Sequence, residues 1–75
     1  HGVRVESDKV VALDLSFNNL EGQLPEQIGD LTNLRQLNLF RNKISGNLPE
    51  SIGDLKQLRK LNIAFNTLEG KFFIR

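Results

Sequence analysis

Leucine or isoleucine alternates with a polar residue three times along this chain, at Leu13-Asp14-Leu15, Leu37-Asn38-Leu39 and Leu61-Asn62-Ile63. A period of two marks a short strand with one buried face. After each of the first two strands the period lengthens. Ile28, Leu31 and Leu34, and then Ile52, Leu55 and Leu58, recur at helical spacing, which predicts a short helical turn with its apolar side inward. Between strand and turn stand Gly22-Gln23-Leu24-Pro25 and Gly46-Asn47-Leu48-Pro49. Glycine admits backbone conformations closed to other residues. Proline fixes φ and keeps the preceding leucine extended, so Pro25 and Pro49 are expected at the first position of each turn. Glu26 and Glu50 follow, where a helix start favours negative charge.

These elements come round at a fixed interval. Leu13–Gln36 and Leu37–Lys60 align without a gap at a shift of 24 and share 13 of 24 residues. A third copy begins at Leu61 and keeps Leu61, Asn66, Leu68 and Gly70. Stacked copies place their strands side by side in a parallel sheet, about 4.8 Å apart. One copy cannot bury its own apolar face, so the copies bury each other, and about three are needed for stability. Asn18, Asn42 and Asn66 fall where each strand must turn. An amide offers both donors and an acceptor, so an asparagine ladder can satisfy backbone groups that the turns leave unpaired.

The period and the run Leu31, Leu34, Leu37, Leu39, Asn42, Ile44, Gly46, Leu48, Pro49, Ile52 and Gly53 resemble the plant-type leucine-rich repeat family over Val10–Phe72. The resemblance implies an α/β repeat solenoid: a right-handed coil with a parallel concave sheet, short 3-10 or helical convex turns, and a second small sheet at the Gly-x-Leu-Pro segment. It divides the chain into a cap segment, 1–9, and repeats at 10–33, 34–57 and, in part, 58–75. The opening segment loses the repeat phase and resembles the end of the family's N-terminal cap, a Trp-x-Gly-Val-x-Cys motif. Gly2 and Val3 match it, while Val5 stands where the family has cysteine. Val3 and Val5 alternate with Arg4, which predicts a cap strand held by packing alone. At the other end Phe73 replaces the repeat proline and Ile74 follows. A stacked coil with a bare last layer needs a cover, so Phe73 and Ile74 are expected either to fold over it or to dock on a neighbour.

Composition narrows the chemistry. The 75 residues include ten Lys and Arg, nine Asp and Glu, one histidine (His1) and no cysteine, for a net charge of +1. No disulfide and no zinc cluster can form from this set. The charge balance gives no reason to expect nucleic acid, and no apolar run reaches the ~20 residues that span a bilayer. No cofactor is expected. Glu26, Asp30, Glu50 and Asp54 read as a solvated convex face, and Arg59, Lys60, Lys71 and Arg75 as solubilising or facing an acidic partner. A Ser-His-Asp set would need terminal His1, and no phosphate loop is present, so no enzyme is expected. The resemblance implies an extracellular or membrane-associated setting. The lack of cysteines and of Asn-x-Ser/Thr sites fits an intracellular or organellar complex instead.

The outward strand positions form columns across the three copies: Ala12, Gln36, Lys60; Asp14, Asn38, Asn62; Ser16, Phe40, Ala64; Phe17, Arg41, Phe65. The resemblance implies that this concave face recognises a protein or peptide. The candidate partner-binding residues are Asp14, Phe17, Gln36, Asn38, Phe40, Arg41, Lys60, Asn62 and Phe65. Phe40 beside Arg41 is either an interface anchor or an aromatic lying across neighbouring strands. Arg41 can stack on Phe17 and Phe65 or stay solvated. The competing reading is a structural segment of a larger assembly or longer chain, docked through Phe73 and Ile74.

Overall fold

A computed structural model describes residues 2–68. His1, Gly70, Lys71, Phe72, Arg75 and the docking pair Phe73 and Ile74 lie outside the described residues. The chain runs β1 (Gly2–Glu6), β2 (Lys9–Asp14), β3 (Glu21–Gly22), a 3-10 turn (Glu26–Asp30), β4 (Gln36–Asn38), β5 (Lys43–Gly46), a second 3-10 turn (Glu50–Asp54), β6 (Lys60–Asn62) and β7 (Thr67–Leu68).

Two sheets form. The larger has the order β1-β2-β4-β6, and the smaller, at the glycine corners, has the order β3-β5-β7. β2, β4 and β6 pair in parallel, with Leu13, Leu37 and Leu61 in one row and Ala12, Gln36 and Lys60 in another. A one-residue slip would turn every leucine to the other face, so burial of the leucine side fixes this register. The pairing continues past the assigned strand ends. Leu15 N–H donates to Asn38 O at 2.8 Å, Phe17 N–H to Phe40 O at 2.9 Å, Leu39 N–H to Asn62 O at 2.7 Å and Arg41 N–H to Ala64 O at 3.0 Å.

The core lies between the large sheet and the 3-10 turns. Leu34, Leu37, Leu39, Ile44, Leu48, Ile52 and Leu55 are buried together, with Leu13, Leu15, Ile28, Leu31, Leu58, Leu61 and Ile63 packed around them. The middle copy supplies the most buried residues, because it alone has a described copy on each side. At about 25 cal/mol per Å2 of apolar surface, each fully buried leucine contributes roughly 2 kcal/mol.

Of the 3-10 or helical turns expected, the tighter form occurs. Both are 3-10, and no α-helix occurs among the described residues. Pro25 and Pro49 are extended (φ −76°, ψ 155° and φ −68°, ψ 147°) and precede the turn rather than opening it. Their carbonyls accept from Ile28 and Ile52 N–H at 3.2 and 3.1 Å. A longer α-helix would not return to the sheet in 24 residues. The two turns also nest closely. Gly29 is buried, and a Cβ there would sit 2.7 Å from both the Cβ and the backbone O of Ser51. Ser51 Oγ donates to Glu26 O at 2.7 Å, joining the turns.

The N-terminal strand forms, but not by packing. β1 pairs antiparallel with β2 through a two-residue turn, Ser7-Asp8, in which both φ values are positive (50° and 65°). That geometry matches the right-handed twist of a tight hairpin. Val3 and Val5 remain 58% and 56% exposed. They stand opposite Leu13 and Val10 on the inward side, where no described element lies beneath them. Backbone pairing therefore carries this strand, together with an exposed ion pair from Arg35 Nη2 to Glu6 Oε1 at 3.0 Å.

Candidate functional site

The outward face of the large sheet ends in two kinds of local structure, each repeated every 24 residues. The first is an Asx turn. Asp14 Oδ1 accepts from Ser16 N–H at 3.0 Å and Ser16 Oγ at 2.7 Å. Asn38 Oδ1 accepts from Phe40 N–H at 3.0 Å, and Asn62 Oδ1 from Ala64 N–H at 3.1 Å. Asp and Asn share this ability to hold the backbone two residues on. The Asp14, Asn38, Asn62 column is therefore uniform for a backbone reason. Repetition of Asp or Asn at the same offset was the sequence signal for it. Ser16, expected outward, is instead 8% exposed, with its hydroxyl folded back onto Asp14. The Ser16 backbone N–H, then its hydroxyl, and to a smaller extent the Asn38 side chain hold the Asp14 carboxyl below the ordinary range; desolvation opposes them.

The second repeated feature is a left-handed residue. Phe17, Arg41 and Phe65 have φ of 58°, 56° and 59°. Bulky residues seldom adopt this region, and each costs about 1–2 kcal/mol. The asparagine ladder compensates. Asn42 Oδ1 accepts from Asn18 and Leu20 N–H, both at 3.0 Å, while its Nδ2 donates to Leu15 O and Leu39 O at 2.9 and 3.0 Å. Asn66 repeats the arrangement one copy later, taking Ile44 N–H at 3.1 Å and donating to Leu39 O and Ile63 O at 2.8 and 3.0 Å. Asn18, at the first turn, is exposed.

The left-handed residue breaks the strand's alternation, so consecutive residues reach the same cluster. Phe40 and Arg41 do so. The Phe40 ring meets Phe17 edge to face at 5.4 Å and Phe65 at 5.3 Å. The Arg41 guanidinium carbon lies 4.8 Å from the Phe65 centroid, 5.7 Å from Phe40 and 6.0 Å from Phe17. Phe40 therefore lies across its neighbours, as the cross-strand reading expected. Phe17 and Phe65 stay 62% and 66% exposed.

The chain belongs to the leucine-rich repeat family. The sequence profile described as "Leucine rich repeat" matches residues 8–68, the span over which the strands, corners and 3-10 turns recur. A comparison with curated proteins gives no match. Domains of this leucine-rich repeat family generally mediate protein–protein interaction.

The remaining candidates fall on the same face of the repeat sheet. Gln36 and Lys60 share a row with Ala12, and Arg4 of β1 extends it. Arg4, Ala12, Asp14, Gln36 and Asn38 line a shallow depression of about 310 Å3. A second, of about 610 Å3, lies at the strand ends between Phe17, Arg41 and Phe65, with Asn19, Lys43 and Thr67 on its border. The sequence reading missed Arg4 and Lys43. The alternation of Arg4 with two valines was the available signal for the first; only the path of the turn brings the second to the rim. Among the described residues, no group of three or more His, Cys, Asp or Glu is placed to hold a metal ion. No described helix is long and apolar enough to cross a membrane.

Proposed function

We propose that this leucine-rich repeat chain is a protein-interaction module that binds a protein or peptide through the concave face of its large sheet. In this reading residues 1–9 are a cysteine-free cap segment, and the repeats at 10–33, 34–57 and 58–75 belong to the plant-type class and coil right-handedly. The observation that carries it is the Phe17, Phe40, Phe65 and Arg41 cluster. A protein that gathers three phenylalanines and an arginine, with Phe17, Arg41 and Phe65 on left-handed backbone, yet leaves two rings mostly in water, has assembled an apolar surface without using it for its own core. Aromatic residues and arginine dominate interface energetics. The flanking Gln36, Asn38, Asn62 and Lys60 supply polar contacts around it. The two depressions described on this face are shallow and open, unlike a closed cavity that buries a small substrate.

Site-specific photocrosslinking tests this. A benzophenone side chain at position 36 or 60 is expected to capture the native partner, and one at position 27, on the opposite side, to capture none. Phe40→Ala and Lys60→Ala are expected to weaken that capture. If both leave it intact while Phe73→Ser or Ile74→Ser abolishes it, the partner docks at the chain's end and the concave-face reading is wrong.

A further inference from the structure

We infer that the partner segment held by this face is acidic and carries aromatic or bulky aliphatic side chains, with a carboxylate seated on Arg41. This inference rests on the binding reading above and specifies its chemistry. Charge is divided between the two sides of the molecule. The outward face and its rim carry Arg4, Arg41, Lys43 and Lys60, all exposed. The carboxylates near that face are Asp14, engaged by Ser16, Glu6, bridged to Arg35 at 3.0 Å, and Glu21, in register beside Lys43 at the rim. The opposite side carries Glu26, Asp30, Glu50 and Asp54 in the two 3-10 turns, also exposed, against Lys56 just after the second. The net charge of +1 conceals this separation. It makes one face attractive and the other repulsive to an acidic segment.

Arg41 is the centre of the inference. Among the described residues no carboxylate lies within ion-pair distance of it. Three phenyl rings hold its guanidinium at 4.8–6.0 Å. A guanidinium packed against rings keeps its in-plane N–H groups for a carboxylate, which it binds in a two-pronged fashion. The rings also fix the long side chain beforehand, which lowers the ordering cost at binding. The exposed faces of Phe17 and Phe65 then receive the segment's apolar side chains on either side of that carboxylate. A nucleic-acid strand suits the face less well: its continuous phosphates call for an unbroken basic stripe, and the row of Asp14, Asn38 and Asn62 separates Arg4 and Lys60 from Arg41.

Titrating the isotopically labelled full chain with short synthetic peptides, followed by amide chemical shifts, tests the inference. One probe alternates Gly and Glu around two Phe; a second replaces Glu with Lys; a third replaces Phe with Ser; the fourth is oligothymidylate. The first is expected to move the Phe17, Phe40, Arg41 and Phe65 amides. The second and third are expected to bind about tenfold more weakly or worse. Arg41→Gln is expected to weaken the first about tenfold, and Arg41→Lys, which keeps charge without the fork, about threefold. Lys60→Gln, on the exposed row away from the strained backbone, is expected to weaken it about threefold and serves if the Arg41 variants do not fold. Equal binding of the lysine peptide, an unchanged constant in Arg41→Gln and Lys60→Gln, or tighter binding of oligothymidylate overturns the inference. If Phe40→Ala and Lys60→Ala abolish native-partner capture while the acidic peptide fails to bind, only this inference falls. Intact capture in those variants overturns the binding reading itself.

Discussion

Truncating Asn42 to alanine tests whether side-chain amides carry the turns of this fold. The side chain is 7% exposed and makes four hydrogen bonds to backbone: Asn18 and Leu20 N–H at 3.0 Å, Leu15 O at 2.9 Å and Leu39 O at 3.0 Å. The four do not cost equally. Leu39 O keeps a second donor, Asn66 Nδ2 at 2.8 Å. Asn18 and Leu20 are exposed residues, and water can reach their N–H groups. Leu15 O, on the part-buried inner row, loses the Asn42 donor where the surroundings are driest. A buried polar group left unpaired costs about 1–3 kcal/mol, and an exchanged bond about 0.5–1. One group left unpaired and two bonds exchanged for water sum to about 2–5 kcal/mol. A 75-residue chain has in all about 4–11 kcal/mol to lose, at roughly 0.05–0.15 per residue. Urea unfolding followed by far-UV circular dichroism reads the loss. With a slope of about 1 kcal/mol per M for a chain of this size, the midpoint should fall by about 2 M or more. Asn66→Ala should lose about half as much, because that amide is more exposed. A loss under about 1 kcal/mol in Asn42→Ala would refute the ladder argument.

Two further predictions use one repeat as the control for another. Gly29→Ala should destabilise the chain by about 1–3 kcal/mol, since its Cβ would meet the Ser51 backbone O at 2.7 Å and overpack the stacked turns. Gly53→Ala, at the equivalent place, meets nothing within 4 Å and should change the thermal midpoint little; equal effects in the two variants would show that the turns do not nest. Asp14→Asn should be tolerated at neutral pH, because Asn38 and Asn62 already make the same turn. Since the Asp14 carboxyl is depressed in the folded chain, the wild type carries stability that is present above the unfolded value of about 3.9 and is lost as pH falls through the folded value. The asparagine variant should show a shallower decline in urea midpoint below pH 4, and identical acid profiles would count against the Ser16 contacts.

The period of 24, the inward leucines and the corner glycines and prolines were all legible in the sequence. Each is a local choice repeated in phase, and only a stack of copies can bury Leu13, Leu37 and Leu61 on one side. The membership of the outward columns followed from that alternation, so the rows Ala12, Gln36, Lys60 and Asp14, Asn38, Asn62 could be written down in advance. What those side chains do could not. Whether Asp14 faces a partner or folds onto Ser16 depends on where the next backbone N–H points. Whether Phe40 touches Phe17 and Phe65, and whether Arg41 joins them, depends on three residues adopting a left-handed conformation that propensity alone disfavours. Packing across copies selected that conformation, through backbone bonds from one strand end to the next and an asparagine reaching between them. Val3 and Val5 show the reverse case: their alternation marked a strand, but burial needs a surface to meet, and only the assembled structure shows that none of the described residues provides it.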